Sequence, residues 1–346
     1  MKKQSLLLPL AFLLCFSSFV QKQEREVHPE IKKAVYLTSA FMNGIGFNDL
    51  PNLDVKKARS ILNSIKTPEK ALPPIFQVNN LQIPGPAGEI TMRIYRPSDK
   101  DCLPVLMWFH GGGWVLGNLD GAELNCRKFA NEAQCVVVSV DYRLAPETPF
   151  PGAINDCYAA TAWVAESAET LGIDSTKIAV GGDSAGGNLA ACVAYRCRDN
   201  GPKLVFQLLI YPVIDADFTR TSYIENGEGY LLTKKWIEWF WDCYVPDKAD
   251  RKNPLVSPIH ASDLSGLPAA HIITAEFDPL RDEGEAYGEA LKSAGVEVEI
   301  HRYDGMIHTF FNMVTSKPVA EIIEASQRAV ESLKSAFSKR KRKFSS

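Results

Sequence analysis

"KIAVGGDSAGGNLAA", residues 177–191, sets a short apolar run against a run of small residues, with Ser184 at the junction. The first half reads as the end of a buried strand and the second as the start of a helix. In that setting the pentapeptide "GDSAG" (182–186) fits G-x-S-x-G, a sharp turn that holds a hydroxyl above the edge of a sheet. Gly182 and Gly186 are small because side chains there would collide across the turn. Ala185 opens the helix, where its N–H has no helical partner and the dipole favours negative charge. Five-residue patterns with two glycines also arise by chance, so Ser184 gains meaning from what surrounds it.

The same texture repeats outward from this stretch. "PVLMWF" (104–109), "CVVVSV" (135–140), "FQLLIY" (206–211) and "AAHIIT" (269–274) are continuous apolar runs, while "EITMRIYRP" (89–97) and "VEVEIHRY" (296–303) alternate. Helix-patterned segments separate them, among them "PGAINDCYAATAWVAESAETL", "RDEGEAYGEALKSAG" and "PVAEIIEASQRAVESLKSAF". Buried strands alternating with helices predict an α/β fold with a mostly parallel, doubly wound sheet covered on both faces. Two intervals break the rhythm. Residues 28–66 are helical without a strand, and 215–245 hold a loop and a helix rich in Trp236, Trp239, Phe240, Trp241 and Tyr244. These aromatics are either plain core packing or a helical cap that walls an apolar pocket together with the N-terminal helices. The expected organisation is a leader or anchor (1–20), a cap (28–66 and 215–245), a core (75–214 and 246–338) and a basic tail (339–346).

The chain has 346 residues, 46% of them hydrophobic and 23% charged, with a net charge of −3. This is globular composition with no electrostatic case for a nucleic-acid partner. "MKKQSLLLPLAFLLCFSSFV" has two lysines, an apolar stretch from Leu6 to Leu14 and then small residues, the layout of a secretory signal. The expected location is therefore periplasmic or secreted, with an uncleaved anchor or a cytoplasmic protein as alternatives. Eight cysteines show no C-x-x-C or His/Cys zinc spacing, and Cys135, Cys157, Cys192 and Cys197 sit in apolar runs as buried thiols. No metal and no cofactor are expected.

"WFHGGGWVLG" (108–117) places three glycines directly after a buried strand, where they form a loop of exposed N–H groups. Such a loop suits a tetrahedral oxyanion, and an HGGG loop serves this purpose in lipases and esterases. A serine hydroxyl needs a base, and only six histidines exist. His28 lies in the helical lead-in, His110 braces the glycine loop, and His271 and His301 fall inside strands. His260 is the credible distractor in a loop. His308 in "YDGMIHTF" (303–310) follows the last strand-like run, at the sheet edge where sites of such folds collect. For the acid, "HIITAEFDPLRDEG" (271–284) offers Glu276, Asp278 and Asp282. Asp278 is preferred; Glu276 reads as a rim charge, and Asp282 as a helix cap with Glu285 as its capping-box partner. Asp183 and Asn188 read as ties of the turn, Arg143 and Glu147 as an ion pair, and Asp156 as a satisfied buried carboxylate.

"HGGGW" (110–114), "DYRLAPE" (141–147), "GDSAGGNLA" (182–190), "DPLRDEG" (278–284) and "GMIHTF" (305–310), in that order, resemble the hormone-sensitive-lipase-like (bacterial family IV) esterases of the α/β-hydrolase superfamily. The resemblance covers the chain from about Ile75 onward. It implies an α/β-hydrolase fold with Ser184 as nucleophile, Asp278 as acid and His308 as base. It also implies oxyanion donors from the backbones of Gly112, Gly113 and Ala185, and a small ester substrate with a short to medium acyl chain. Many such enzymes are intracellular, so the leader is a departure. Two rival functions share the architecture: an amidase or deacetylase, and a non-catalytic ligand receptor of the kind that lacks the histidine. A homodimer is left open.

Overall fold

Eight strands form one sheet: β1 (Gln77–Gly85), β2 (Gly88–Arg96), β3 (Leu103–Phe109), β4 (Val136–Asp141), β5 (Ile173–Asp183), β6 (Leu204–Ile210), β7 (Ala269–Phe277) and β8 (Val298–Ile307). Their spatial order is β1-β2-β4-β3-β5-β6-β7-β8. The β1–β2 and β2–β4 pairs are antiparallel, and all the others are parallel. The computed structural model describes residues 25–339 except Lys66, so the leader and the tail beyond Lys339 lie outside the described residues. Among the described residues no helix is long and apolar enough to cross a membrane.

The continuous apolar runs follow from burial on two faces. In β3, Val105, Met107 and Phe109 join one core cluster while Leu106 and Trp108 join the other; in β4, Val136, Val138 and Val140 oppose Val137 in the same way. Helices Gly152–Glu166, Ala185–Asn200 and Arg281–Ser293 cover the first face, and Leu119–Ala133 and Ala320–Ser338 the second. Each fully buried aliphatic side chain stabilises this arrangement by roughly 1.5–3 kcal/mol before ordering costs. The sequence pattern did not predict β1. Its only buried residue is Ile83, so it carries neither an apolar run nor a clean alternation.

The intervals without strands are helical. Residues 28–66 contain helices Pro29–Gly44 and Val55–Ser64. Helix Lys234–Tyr244 begins at Thr233, whose side chain caps the Trp236 N–H at 3.2 Å, and buries Ile237, Phe240, Trp241 and Tyr244. These residues share a cluster with Phe47, Leu50 and Ala58, and Trp236 meets Phe47 edge-on at 5.9 Å. Core packing is thus one role of the aromatic-rich helix. Cys126, Cys135, Cys157, Cys192 and Cys197 are buried free thiols, and no disulfide occurs among the described residues.

Candidate active site

β5 ends at Asp183 and helix Ala185–Asn200 starts at once, leaving Ser184 to make the whole reversal. Its φ of 56° and ψ of −121° lie outside the regions an L-residue adopts freely, a strain of about 1–3 kcal/mol. The turn survives because nothing crowds it. A Cβ on Gly186 would overlap the Phe109 carbonyl, so only glycine lets the helix pass this close to β3. The Ser184 N–H is held by the Ile210 carbonyl at 2.9 Å, which fixes the residue against β6.

Two neighbouring strands deliver the partners. Asp278 is the first residue beyond β7 and His308 the first beyond β8. His308 Nε2 lies 3.0 Å from Ser184 Oγ, and Nδ1 lies 2.7 Å from Asp278 Oδ2. Asp278 is fully buried, and its Oδ1 also accepts the Leu280 N–H at 2.8 Å. A buried carboxylate at Nδ1 places the ring proton there and leaves the Nε2 lone pair facing the hydroxyl. The Tyr211 ring packs on His308 with centroids 4.7 Å apart and fixes the imidazole from the side.

The glycine loop completes the arrangement. Gly112 and Gly113 have φ of 116° and 61°, and a Cβ on Gly113 would run into the Phe240 ring. Among the described residues, the N–H groups of Gly112, Gly113 and Ala185 donate to no protein acceptor. The loop is braced from behind. His110 Nδ1–H donates to the Gly111 carbonyl at 2.8 Å, its ring stacks on Tyr142 at 4.4 Å, and the Tyr142 hydroxyl donates to the His110 carbonyl at 2.7 Å. Burial lowers the His110 pKa to about 4, so the ring is a neutral brace. Arg59 from helix Val55–Ser64 donates to the carbonyls of Val115 (2.8 Å) and Ala145 (2.7 Å).

A family model described as alpha/beta hydrolase fold matches residues 106–312. The carboxylesterase NlhH of Mycobacterium tuberculosis is 45% identical over 289 residues, covering 82% of this chain and 90% of its own. The chain belongs to the hormone-sensitive-lipase-like esterases of the α/β-hydrolase superfamily. The carboxylic ester hydrolase LipN of the same organism is 47% identical over 243 residues, 68% of this chain and 65% of that relative. A hyperthermophilic esterase from the archaeon Pyrobaculum calidifontis superposes with a TM-score of 0.81 at 41% identity, over 90% of this chain and 98% of that one. The protein is a carboxylic ester hydrolase.

The other residues singled out in the sequence of this esterase lie elsewhere. His260 bonds Asp215 at 2.9 Å and does not meet Ser184, and His28 caps the Glu30 N–H. Glu276 accepts Arg25 and the Gly305 N–H, each at 2.8 Å, bracing the end of β8 before His308. Asp282 is not a helix cap. The helix starts at Arg281, so Asp282 is already inside it, and its carboxylate accepts the Ser222 N–H at 2.7 Å. Glu285 bonds Thr274 instead of closing a capping box. Arg143 and Glu147 do not pair. The Arg143 fork takes Asp156, with both bonds at 2.7 Å, and Glu147 takes Arg59. Asp156 is thereby a satisfied buried carboxylate. Asp183 reaches out of the turn to accept the Gly111 N–H (3.1 Å) and Asn312 (3.1 Å); its pKa is raised to about 6, chiefly by burial. Asn188 donates to the Val256 carbonyl, tying the helix to the segment that precedes β7. A further buried carboxylate escaped the sequence reading. Glu283 accepts the Ile214 N–H (2.7 Å) and the Tyr223 hydroxyl (3.0 Å), and burial pushes its pKa up to about 8.

Proposed function

We propose that this esterase works by covalent catalysis, with Ser184 as nucleophile, His308 as general base and then acid, and Asp278 as the group that orients and stabilises the imidazolium. The observation that carries this reading is the unbroken line from buried carboxylate to ring to hydroxyl, at 2.7 and 3.0 Å. His308 Nε2 takes the Ser184 proton as Oγ attacks the ester carbonyl. The resulting oxyanion receives N–H groups from Gly112, Gly113 and Ala185, which supply a few kcal/mol each. The intermediate collapses, the alcohol leaves with the proton from His308, and an acyl-enzyme remains. Water, deprotonated by the same ring, then attacks the acyl carbon and releases the acid.

The substrate proposed is a short- to medium-chain carboxylic ester. Helix Lys234–Tyr244 brings Phe240 against Gly113, with Trp239 beside it at 5.1 Å, so an apolar wall stands next to the oxyanion donors. Residues 28–66 and 215–245 form the cap over this wall, and 75–214 with 246–338 form the catalytic core. The leader directs export. In the test, Ser184→Ala lowers kcat/KM on p-nitrophenyl butyrate by at least about 10⁴ while circular dichroism and melting temperature stay unchanged. An active Ser184→Ala protein sinks the mechanism. Faster turnover of a matched anilide than of the ester favours an amidase, and binding without turnover favours a receptor. A mature N-terminus beyond Ser17 by mass spectrometry supports export.

A further inference from the structure

We propose that His271, Glu299 and His301 form a binding site for one divalent ion of the zinc type, at the end of the sheet opposite Ser184. In the β7–β8 pair His271 stands opposite Glu299, and Ile273 opposite His301. Because side chains alternate along a strand, all three project from one face, toward helix Ala320–Ser338. Their ligand atoms lie within 4.8 Å of one another. His271 Nε2 and His301 Nδ1 are 2.9 Å apart. Two imidazole nitrogens each bound at about 2.0–2.1 Å to one ion in tetrahedral geometry stand about 3.3 Å apart, so the rings need to separate by only a few tenths of an ångström to share a metal. Two histidines and a carboxylate are a recognised zinc set that leaves a position for water.

The surroundings orient the ligands. The Ser332 hydroxyl donates to the Arg328 carbonyl (2.9 Å) and accepts the His271 Nδ1–H (2.9 Å), which leaves the Nε2 lone pair directed at His301. Arg328 donates to His301 Nε2 at 3.2 Å, so the proton on His301 sits on Nδ1, between the two rings. A metal takes the place of that proton, which moves to Nε2 of the same ring. Arg328, 44% exposed, then swings aside, and its partner Glu324 is left to accept the new N–H. A small cleft of about 40 Å³, room for about one water, is lined by Glu299 and Ser332 beside the cluster. Sequence spacing gives no hint of this site, because its ligands come from two strands and meet only through the sheet register.

The test uses the full chain stripped with chelator and titrated calorimetrically with Zn²⁺ alone, with Co²⁺ absorption as a second readout of the ligand field. One saturable site is expected, weakened at least about tenfold in both His301→Ala and Glu299→Gln and retained in His308→Ala. Zn²⁺ should also raise the melting temperature of the parent protein and not of these two variants. Neither residue belongs to the esterase machinery, so kcat/KM without metal stays within about twofold in both. Should His301→Ala fail to fold, Glu299→Gln alone decides. No saturable binding, equal binding in Glu299→Gln, or binding lost in His308→Ala overturns the site.

Discussion

β7 and β8 carry a histidine pairing at each end, and the two ends behave differently. Beyond the C-terminal ends, Asp278 and His308 meet at 2.7 Å; near the N-terminal ends, His271 and His301 meet at 2.9 Å. Both pairs are thirty residues apart in sequence, yet the register differs between the ends: Ala275 stands opposite Tyr303, and after a shift Phe277 stands opposite Ile307. They lie seven residues apart along the strand, roughly 23 Å at the rise of an extended chain. The chemistry separates them. His308 has a carboxylate behind it and a hydroxyl in front. His271 faces a second imidazole, and burial with the neighbouring His301 and Arg328 lowers its pKa to about 3. A ring so depressed takes no proton at neutral pH. Position on a sheet therefore supplies a pair; its neighbours decide what chemistry the pair is suited to.

The contrast breaks most readily through paired substitutions. Asp278→Asn should lower kcat on p-nitrophenyl butyrate by about 10⁴, because the imidazole loses its tautomer and its counter-charge. His271→Asn should leave kcat within about threefold while lowering the melting temperature. Comparable kinetic losses at the two ends, in one steady-state assay, would erase the distinction. A smaller effect sharpens the view of the active end. Gly113→Ala should cost about 10² in kcat with little change in KM, because the positive φ and the Phe240 ring force the amide out of line. An unchanged kcat would show that this N–H does not face the oxyanion.

The last prediction concerns stability rather than turnover. Glu283 sits between β7 and the 215–245 insertion with its pKa raised to about 8. Its folded value exceeds its unfolded value of about 4.5, so its contribution is full below pH 4.5 and is lost as pH rises toward 8. Urea unfolding of the parent should weaken between about pH 5 and pH 8 by an amount on the order of a few kcal/mol from this residue. Glu283→Gln should flatten that slope; a parallel slope in the variant means another group titrates.

What could be read in the chain divides along the same line of local against distant. Ser184 announces itself because the tight turn needs glycine on both flanks within five residues. The glycine loop does so because three consecutive glycines follow a buried strand, and each stands where a Cβ would meet a close neighbour, Asp183, Leu116 or Phe240. The placement of His308 beside Ser184 was reachable by elimination, since every other histidine falls in a strand, a brace, a cap or an unrelated loop. The residues that misled were those whose partners are far away. Arg143 and Glu147, four apart, suggested a pair, yet each bonds a group elsewhere in the chain, Asp156 and Arg59. Asp282 suggested a cap because the helix start could not be located to one residue. β1 was missed because an exposed edge strand needs no apolar pattern, and the His271 group because register is invisible in spacing.

Arg59 has an implication for anyone reshaping this molecule. Its guanidinium grips two carbonyls just behind the glycine loop, from a helix that precedes the first strand. Trimming the chain past Arg59 would release that grip while leaving the Ser184–His308 spacing intact. On the proposed mechanism, a shortened enzyme keeps its nucleophile and base in register and still loses turnover, through slack in the amides proposed to receive the negative charge.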